Sequence, residues 1–222
     1  MISVLVIYNK DFSEKESFTK YRPGHADFSG SEKYKFEDLR PVLERASARK
    51  TAIEVAVGAV AKLLLKEFGI ECSSKILQIG AVTENFAQEI DRVKALGNSC
   101  GGKFEIIYKN LPVGLGSYVH YDRCLDGELA KVVMSIGGVK VVEIGENPIG
   151  KLGSEYHDEI ILKDGIISHS TNNAGGIEGG MTNGEDLVIK AVMKPIPTMT
   201  KPLKTIDKIS HELCEAHFER SD

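Results

Sequence analysis

No run of apolar residues in this chain approaches the roughly 18 needed to cross a bilayer as a helix, so no membrane span is expected. The opening stretch, Met1-Ile2-Ser3-Val4-Leu5-Val6-Ile7-Tyr8, has no basic residues ahead of its apolar ones and lacks the form of a secretory signal. Cysteine is scarce. Cys72, Cys100, Cys124 and Cys214 include no Cys-x-x-Cys pair and no partner histidine at zinc-finger spacing. Four reduced thiols in the cytoplasm are the expectation. The six histidines form no metal-ligand pattern, and no metal is expected; His211 and His217, six apart on what reads as a polar helix, share no face. Positive charge is not in excess. A net charge of −4, with no basic stripe interleaved with aromatics, excludes nucleic acid or an anionic membrane as a partner held by overall charge. An anionic ligand has to be caught by local arginines and lysines. Internal repeats and separating linkers are absent too. The 222 residues, 42% hydrophobic and 27% charged, read as one α+β domain over 1–222.

What is present is periodicity. Thr51–Phe68 carries the strongest helix signal, with Val55, Ala56, Ala59, Val60, Leu63, Leu64 and Leu65 on a wide apolar stripe, Lys66 in the last turn and Gly69 just beyond it. Such a stripe predicts a mostly buried helix. Helices are also predicted at Glu84–Leu96 and Asp126–Ile136, and a polar one at 206–219. Strands are predicted at 2–8, Lys75–Val82, Phe104–Lys109, Val139–Ile144 and Leu187–Met193. Glu159–Leu162 and Ile166–Ser168 flank Asp164-Gly165 and predict a hairpin.

Four segments carry candidate chemistry. Asn172–Gly184 holds five glycines and three asparagines in thirteen residues, between strand-like runs. Glycine permits positive φ and close approach to the backbone. The segment is either an ordered cradle for a flat or anionic group, or a long hairpin with several tight turns. Arg40–Arg49 precedes the long helix, where free N–H groups and the dipole favour an anion. There Arg45, Arg49 and Ser47 either complete an anion site or are solvated arginines with a capping serine. Arg22-Pro23-Gly24-His25-Ala26-Asp27 places an imidazole on a turn beside an arginine and a carboxylate, as an acid–base group or a plain surface histidine. Lys194-Pro195-Ile196-Pro197-Thr198 is stiff and extended. It either offers unpaired carbonyls to a ligand or simply ends a strand.

Taken together these segments resemble the chorismate synthase family. The matching pieces are R-P-G-H-A-D at 22–27, E-R-A-S-A-R at 44–49, G-L-G-S-Y-V-H-Y-D-R at 114–123 and M-S-I-G-G-V-K-V-V-E-I-G at 134–145. N-N-A-G-G-I-E-G-G-M-T-N-G at 172–184, M-K-P-I-P-T at 193–198 and E-R-S-D at 219–222 complete the set, all in the family's order. The resemblance implies a β-α-β sandwich, usually in homotetramers. It implies 1,4-anti elimination of phosphate from 5-enolpyruvylshikimate 3-phosphate to chorismate, with reduced FMN required. It also implies roles: Arg45, Ala46, Ser47, Gly179, Lys194, Pro195, Ile196, Pro197, Thr198 and Arg220 toward FMN, Arg22, Arg45 and Arg49 toward substrate, and His25 as the acid–base group. Whether NADPH reduces the flavin in place is left open by the residues.

Some of the family pattern is missing. A G-E-S-H-G motif bearing a second essential histidine has no counterpart, nor does the Cys-Ala-Val-Pro segment that usually follows E-R-S-D. The expectation is therefore a sandwich incomplete at both termini, with exposed apolar surface. The alternative function is a non-catalytic flavin- or anion-binding remnant. Lys50, Ala46 and Val141 replace the family's usual glutamate, serine and glycine.

Overall fold

Apolar side chains alternate at a period of two through Leu187–Met193, and half of the chain is organised by that strand. The structure, a computed structural model, describes residues 4–8, 15–47 and 50–219. Contacts group the chain into two units: Met1–Ala61, Ala87–Cys100 and Pro195–Asp222 form one, Lys62–Phe86 and Gly101–Lys194 the other.

The second unit contains a four-stranded antiparallel sheet. β1 (Glu71–Ile79), β2 (Gly102–Lys109), β8 (Leu187–Met193) and β3 (Val139–Ile144) lie side by side in that order. Leu187, Ile189 and Ala191 of β8 are buried, and the register places Tyr108, Ile106 and Phe104 of β2 opposite them on the same face. Helix α5 (Leu125–Met134) covers this face, with Leu125, Leu129 and Val133 in the core at helical spacing. On the other face the register pairs Lys75 with Glu105, Glu105 with Lys190 and Lys190 with Glu143, a transverse row of alternating charge. Lys75 reaches Glu105 at 2.9 Å, Lys103 reaches Glu143 at 2.6 Å, and Lys190 reaches Glu146 at 2.6 Å.

Short elements decorate the sheet. α6 (Gly153–Tyr156) precedes a hairpin of β4 (Ile160–Lys163) and β5 (Ile166–His169). Its turn residues Asp164 and Gly165 have φ of 52° and 81°, the two positive values that a tight Asp-Gly turn requires. β6 (Ile177–Glu178) and β7 (Met181–Thr182) form a ribbon inside the glycine-rich segment.

The first unit contains α1 (Asp27–Tyr34), α2 (Arg40–Ala46) and, from Ala87 on, α4 (Phe86–Ala95). Its small core is Phe18, Leu39 and Leu43, with Tyr21 packed against it. Neither α1 nor α2 was predicted. Both are short and polar, and their best signals are Asp27 in one first turn and Pro41 at the start of the other.

Two expectations fail here. Residues 206–219 are not helical. β9 (Lys204–Ile206) pairs with β10 (Leu213–Glu215), and Asp207 accepts hydrogen bonds from the N–H groups of Ile209 and Ser210 and from the Thr19 hydroxyl. An aspartate that bonds its own following backbone competes with helix. Residues 4–8 form no strand, because no neighbouring edge pairs with them, and Val4 and Tyr8 are 80% and 83% exposed.

The long helix α3 (Thr51–Glu67) forms as predicted, ending before Gly69 at φ 74°. Its burial does not. No residue of α3 is buried, and Val55, Val60, Leu63 and Leu64 are each more than 60% exposed. An exposed apolar stripe of this length should bind a hydrophobic dye. We expect dye fluorescence to rise with the folded protein and to fall in Leu64→Gln. That change should shift stability by no more than about 0.5 kcal/mol. Ile189→Ala, 1% exposed in the sheet core, should cost about 2–5 kcal/mol in urea unfolding.

Candidate active site

The turn before α1 gathers three charged side chains at one point. Asp27 is fully buried and Arg22 is 6% exposed. Arg22 Nε and Nη2 donate to the two carboxylate oxygens of Asp27, each at 2.8 Å, and the Arg22 backbone N–H adds a third bond at 3.1 Å. His25 Nδ1 lies 2.9 Å from Asp27 Oδ1. Burial pushes the Asp27 carboxyl up, but the bonds from Arg22 and His25 outweigh it and hold it at about 2. Nδ1 also lies 2.9 Å from Arg22 Nη2; where Nδ1 carries the proton, its N–H donates to Asp27, since an ionised carboxylate only accepts. Nε2 is then the nitrogen left free for proton exchange. Arg22 serves as a support for this pair, because its fork is already committed to Asp27. Gly24, at φ 81°, lies against Pro197, where an added Cβ would sit 3.7 Å from the proline Cβ. The proline-rich segment and the histidine turn are thus neighbours. A cavity of about 810 Å³ opens beside them, between Arg22, His25 and Phe28 and the β9–β10 hairpin with Lys204, Asp207 and His211.

The remaining expected residues of the first unit are placed as follows. Arg45 and Ala46 close α2 and are exposed, and Ser47 is its C-cap, with its hydroxyl 3.4 Å from the Glu44 carbonyl. Ser47 therefore does not cap the long helix. Lys50 pairs with Glu54 at 3.4 Å, one turn into α3. Pro195 and Ile196 are exposed and Thr198 is half-buried; the Ile196 carbonyl accepts from the Ser99 hydroxyl at 2.6 Å. Arg49 and Arg220 lie outside the described residues. Just before the latter, His217 stacks on Phe18 with ring centroids 3.9 Å apart, and Glu219 pairs with Arg40 at 2.6 Å.

Gly179 and Lys194 belong to the second unit. The Lys194 N–H donates to the Gly138 carbonyl at 2.9 Å, closing the end of the sheet. The glycine-rich segment is ordered, but most of its glycines serve the fold. A Cβ on Gly175 would lie 2.3 Å from the Gly145 nitrogen, one on Gly176 would lie 2.6 Å from the Asp186 carbonyl oxygen, and one on Gly180 would lie 2.9 Å from the Ser117 carbonyl oxygen. These positions are reserved for backbone packing on backbone. Gly179 differs: at φ 56° it is exposed, and a Cβ there would meet nothing within 4 Å. Gly184 is exposed too, but a Cβ there would crowd Val113 Cγ2 at 3.0 Å, so Gly179 is the more open to an external group.

Two buried groups that the sequence reading passed over hold this loop. Asp158, 8% exposed, accepts from the Thr171 hydroxyl and from the Asn173 and Ala174 N–H groups at 2.8 and 2.9 Å. Burial pushes its carboxyl up, but those donors keep it below the usual carboxylate range. Thr182, 2% exposed, bonds the Leu115 N–H and the Pro112 carbonyl through its hydroxyl, tying the segment to G-L-G-S at 114–117. Glycine density drew attention away from both. The His157-Asp158-Glu159 run just ahead of a predicted hairpin was the available signal for Asp158.

Comparison with known proteins adds an independent line. A family model described as chorismate synthase matches residues 2–222. A protein named chorismate synthase from Thermoanaerobacter pseudethanolicus is 50% identical over 98% of this chain and 65% of its own length. Its namesake from Caldicellulosiruptor bescii is 46% identical over 98% of this chain and 69% of its own. That alignment runs over 264 positions against the 222 residues here, so the Caldicellulosiruptor protein has residues inside the matched stretch without counterparts in this chain. The Bacillus subtilis protein of the same name is 46% identical over 94% of this chain and 62% of its own. This chain thus spans about two thirds of the length of these relatives. A crystal structure of chorismate synthase matches with a TM-score of 0.75 and 40% identity, over 78% of this chain and 63% of that one.

Two predictions rest on this geometry. The folded Asp27 carboxyl, at about 2, is depressed from an ordinary 3.8, so its stabilisation is complete above about pH 4 and is lost as pH falls toward 2. It amounts to about 2 kcal/mol. Urea unfolding across pH 6 to 2 should show this acid limb shrink by that amount in Asp27→Asn. The same change should cost about 3–5 kcal/mol at neutral pH, since Arg22 is left as an unpaired buried charge. Separately, Gly175→Ala should abolish cooperative unfolding of the protein. Gly179→Ala should retain it, at a cost of about 1–2 kcal/mol for the left-handed backbone.

Proposed function

The chain belongs to the chorismate synthase family, and on that premise we propose that it performs that family's reaction. Phosphate is eliminated 1,4-anti from 5-enolpyruvylshikimate 3-phosphate to give chorismate, a lyase step of the shikimate pathway toward aromatic amino acids. The reading makes it a cytoplasmic homotetramer that works with reduced FMN, itself renewed by free reductant or NADPH. The observation that carries the reading is the Arg22–Asp27–His25 assembly, in which a buried ion pair sits beside an imidazole that lines a cavity. A matched run of residues 2–222 supports it.

The residues present fit a flavin mononucleotide. Gly179 has open space where a Cβ would stand, so its backbone admits a flat ring or a phosphate. Taken by itself, the first unit offers exposed Arg45, with Ser47 two residues on, to a phosphate, and the extended Pro195 to Thr198 to a ring; Lys194, in the second unit, is a flavin contact only by the family resemblance. When bound, the reduced flavin supplies an electron transiently and recovers it. Everything else is the work of the side chains. His25 holds or delivers a proton at Nε2, with Asp27 fixing its tautomer and stabilising the cationic ring. Arg45 and Arg49 would neutralise the substrate's phosphate and carboxylates, while Arg22 keeps Asp27 ionised.

The test is anaerobic. Purified protein is mixed with reduced FMN and 5-enolpyruvylshikimate 3-phosphate, and phosphate release is followed. Release supports the proposal. Flavin binding without release supports the second reading, a non-catalytic flavin- or anion-binding member of the family. Neither binding nor release overturns both. In an active protein His25→Ala should lower kcat about 100-fold or more with FMN affinity nearly unchanged. Arg45→Ala should weaken FMN binding about tenfold, read by fluorescence quenching.

A further inference from the structure

His169 closes β5, and its side chain is 7% exposed. Both ring nitrogens face carboxylates. Nε2 lies 3.1 Å from Glu178 Oε2, and Nδ1 lies 3.3 Å from Glu185 Oε1. Glu185 is itself pinned to β5: it accepts from the His169 backbone N–H at 2.9 Å and from the Ser168 hydroxyl at 2.8 Å. Among the described residues the Glu178 side chain has one other hydrogen-bond partner, Asn183 Nδ2 at 3.1 Å, and Glu178 immediately precedes Gly179. Asp158, from the segment ahead of β4, is a third carboxylate in the field of this ring, and the charge of His169 is one of the influences holding its carboxyl low.

A neutral imidazole has a single N–H. It can serve Glu178 or Glu185, and the lone pair of its other nitrogen would then point at an anion. Only the imidazolium serves both. The two carboxylates are not equally dependent on it. Glu185 keeps two other donors when the ring loses its proton, whereas among the described residues Glu178 keeps only the half-buried Asn183 amide.

We infer that His169 is a positioning residue for the Gly179 backbone, its protonated ring linking Glu178 to the β5-anchored Glu185 and so fixing the glycine of the loop most open to a ligand. The inference deepens the proposed flavin site and rests on the reading of Gly179 as a contact for a phosphate-bearing flat ring. Loss of the ring proton breaks the link between Glu178 and the β5-anchored Glu185 and lets the Gly179–Gly180 peptide move. Ligand capture there is then strongest where His169 is cationic.

Two readouts test it, on the full chain at pH 5.5 and 8.5. One is amide hydrogen exchange of the peptide spanning Gly179 and Gly180, corrected for the intrinsic pH dependence of exchange. The other is binding of oxidised FMN by fluorescence quenching. In the unaltered protein protection should fall and the dissociation constant should rise about tenfold at the higher pH, the worth of one charge-assisted hydrogen bond. In His169→Gln both quantities should become independent of pH, apart from the ligand's own phosphate titration, which is common to all variants and cancels in the ratio. Glu178→Gln keeps the histidine and removes the bridged anion, and should flatten the response in the same way; it serves if His169→Gln fails to fold. An unchanged pH response of Gly179 exchange in Glu178→Gln overturns the inference. If exchange follows the ring but FMN binds at neither pH, the positioning role stands and the flavin reading of Gly179 falls.

Discussion

In the second unit two stretches of backbone approach one another more closely than any side chain would allow. Gly145, at the end of β3, and Gly175, in the loop before β6, lie where a Cβ on either would fall 2.2–2.3 Å from the backbone of the other segment. Hydrogen bonds follow from that approach. The Gly145 N–H donates to the Val188 carbonyl, the Glu146 N–H to the Asn173 carbonyl, and the Val188 N–H to the Gly175 carbonyl. The loop is thereby stitched to the sheet edge through main-chain groups, and its remaining side chains are free to be chosen for other reasons. Gly176 and Gly180 repeat the device against Asp186 and Ser117. Gly179 is left outward by the same construction, which is what makes it available.

Buried carboxylates are the second organising element, and each is satisfied in its own way. Asp27 takes an arginine fork and an imidazole. Asp158 takes a hydroxyl and two backbone N–H groups. In both, burial alone would raise the carboxyl, and directed donors reverse the sign. A charge held this way is a rigid reference point, because moving any donor exposes the full desolvation cost. The histidine turn and the glycine loop are each anchored to one.

Much of this was legible in the residues. β3 and β8 agree with their alternation to the residue, and the Asp164-Gly165 turn follows from two residues that tolerate positive φ. The helix of α3 was legible from its spacing, but its burial was not, since an apolar stripe says that a helix wants cover without saying what covers it. The glycine cluster was visible while its purpose was not. Gly145 lies thirty residues upstream of Gly175, and only the folded chain shows that the close approach there is by backbone. Asp27 and His25 are two residues apart in sequence, and their pairing could be anticipated. The partners of Asp158 and Thr182 could not be, because they are reached across the fold, even where a local run marked Asp158 itself. The hairpin at 204–215 was lost to a single aspartate whose turn bonds outweigh helix propensity.

The alternating row across the sheet acts as a proofreader during assembly. With Lys190 between Glu105 and Glu143, every cross-strand neighbour on that row is of opposite sign. Slide β8 by two residues along β2, the smallest slip that keeps its apolar side chains facing the core, and Lys190 meets either Lys103 or Ile107, while Glu105 meets a valine. The misaligned sheet keeps its greasy face and its ladder but loses its electrostatic match. Strands with little else to tell one register from the next are in this way held to a single alignment.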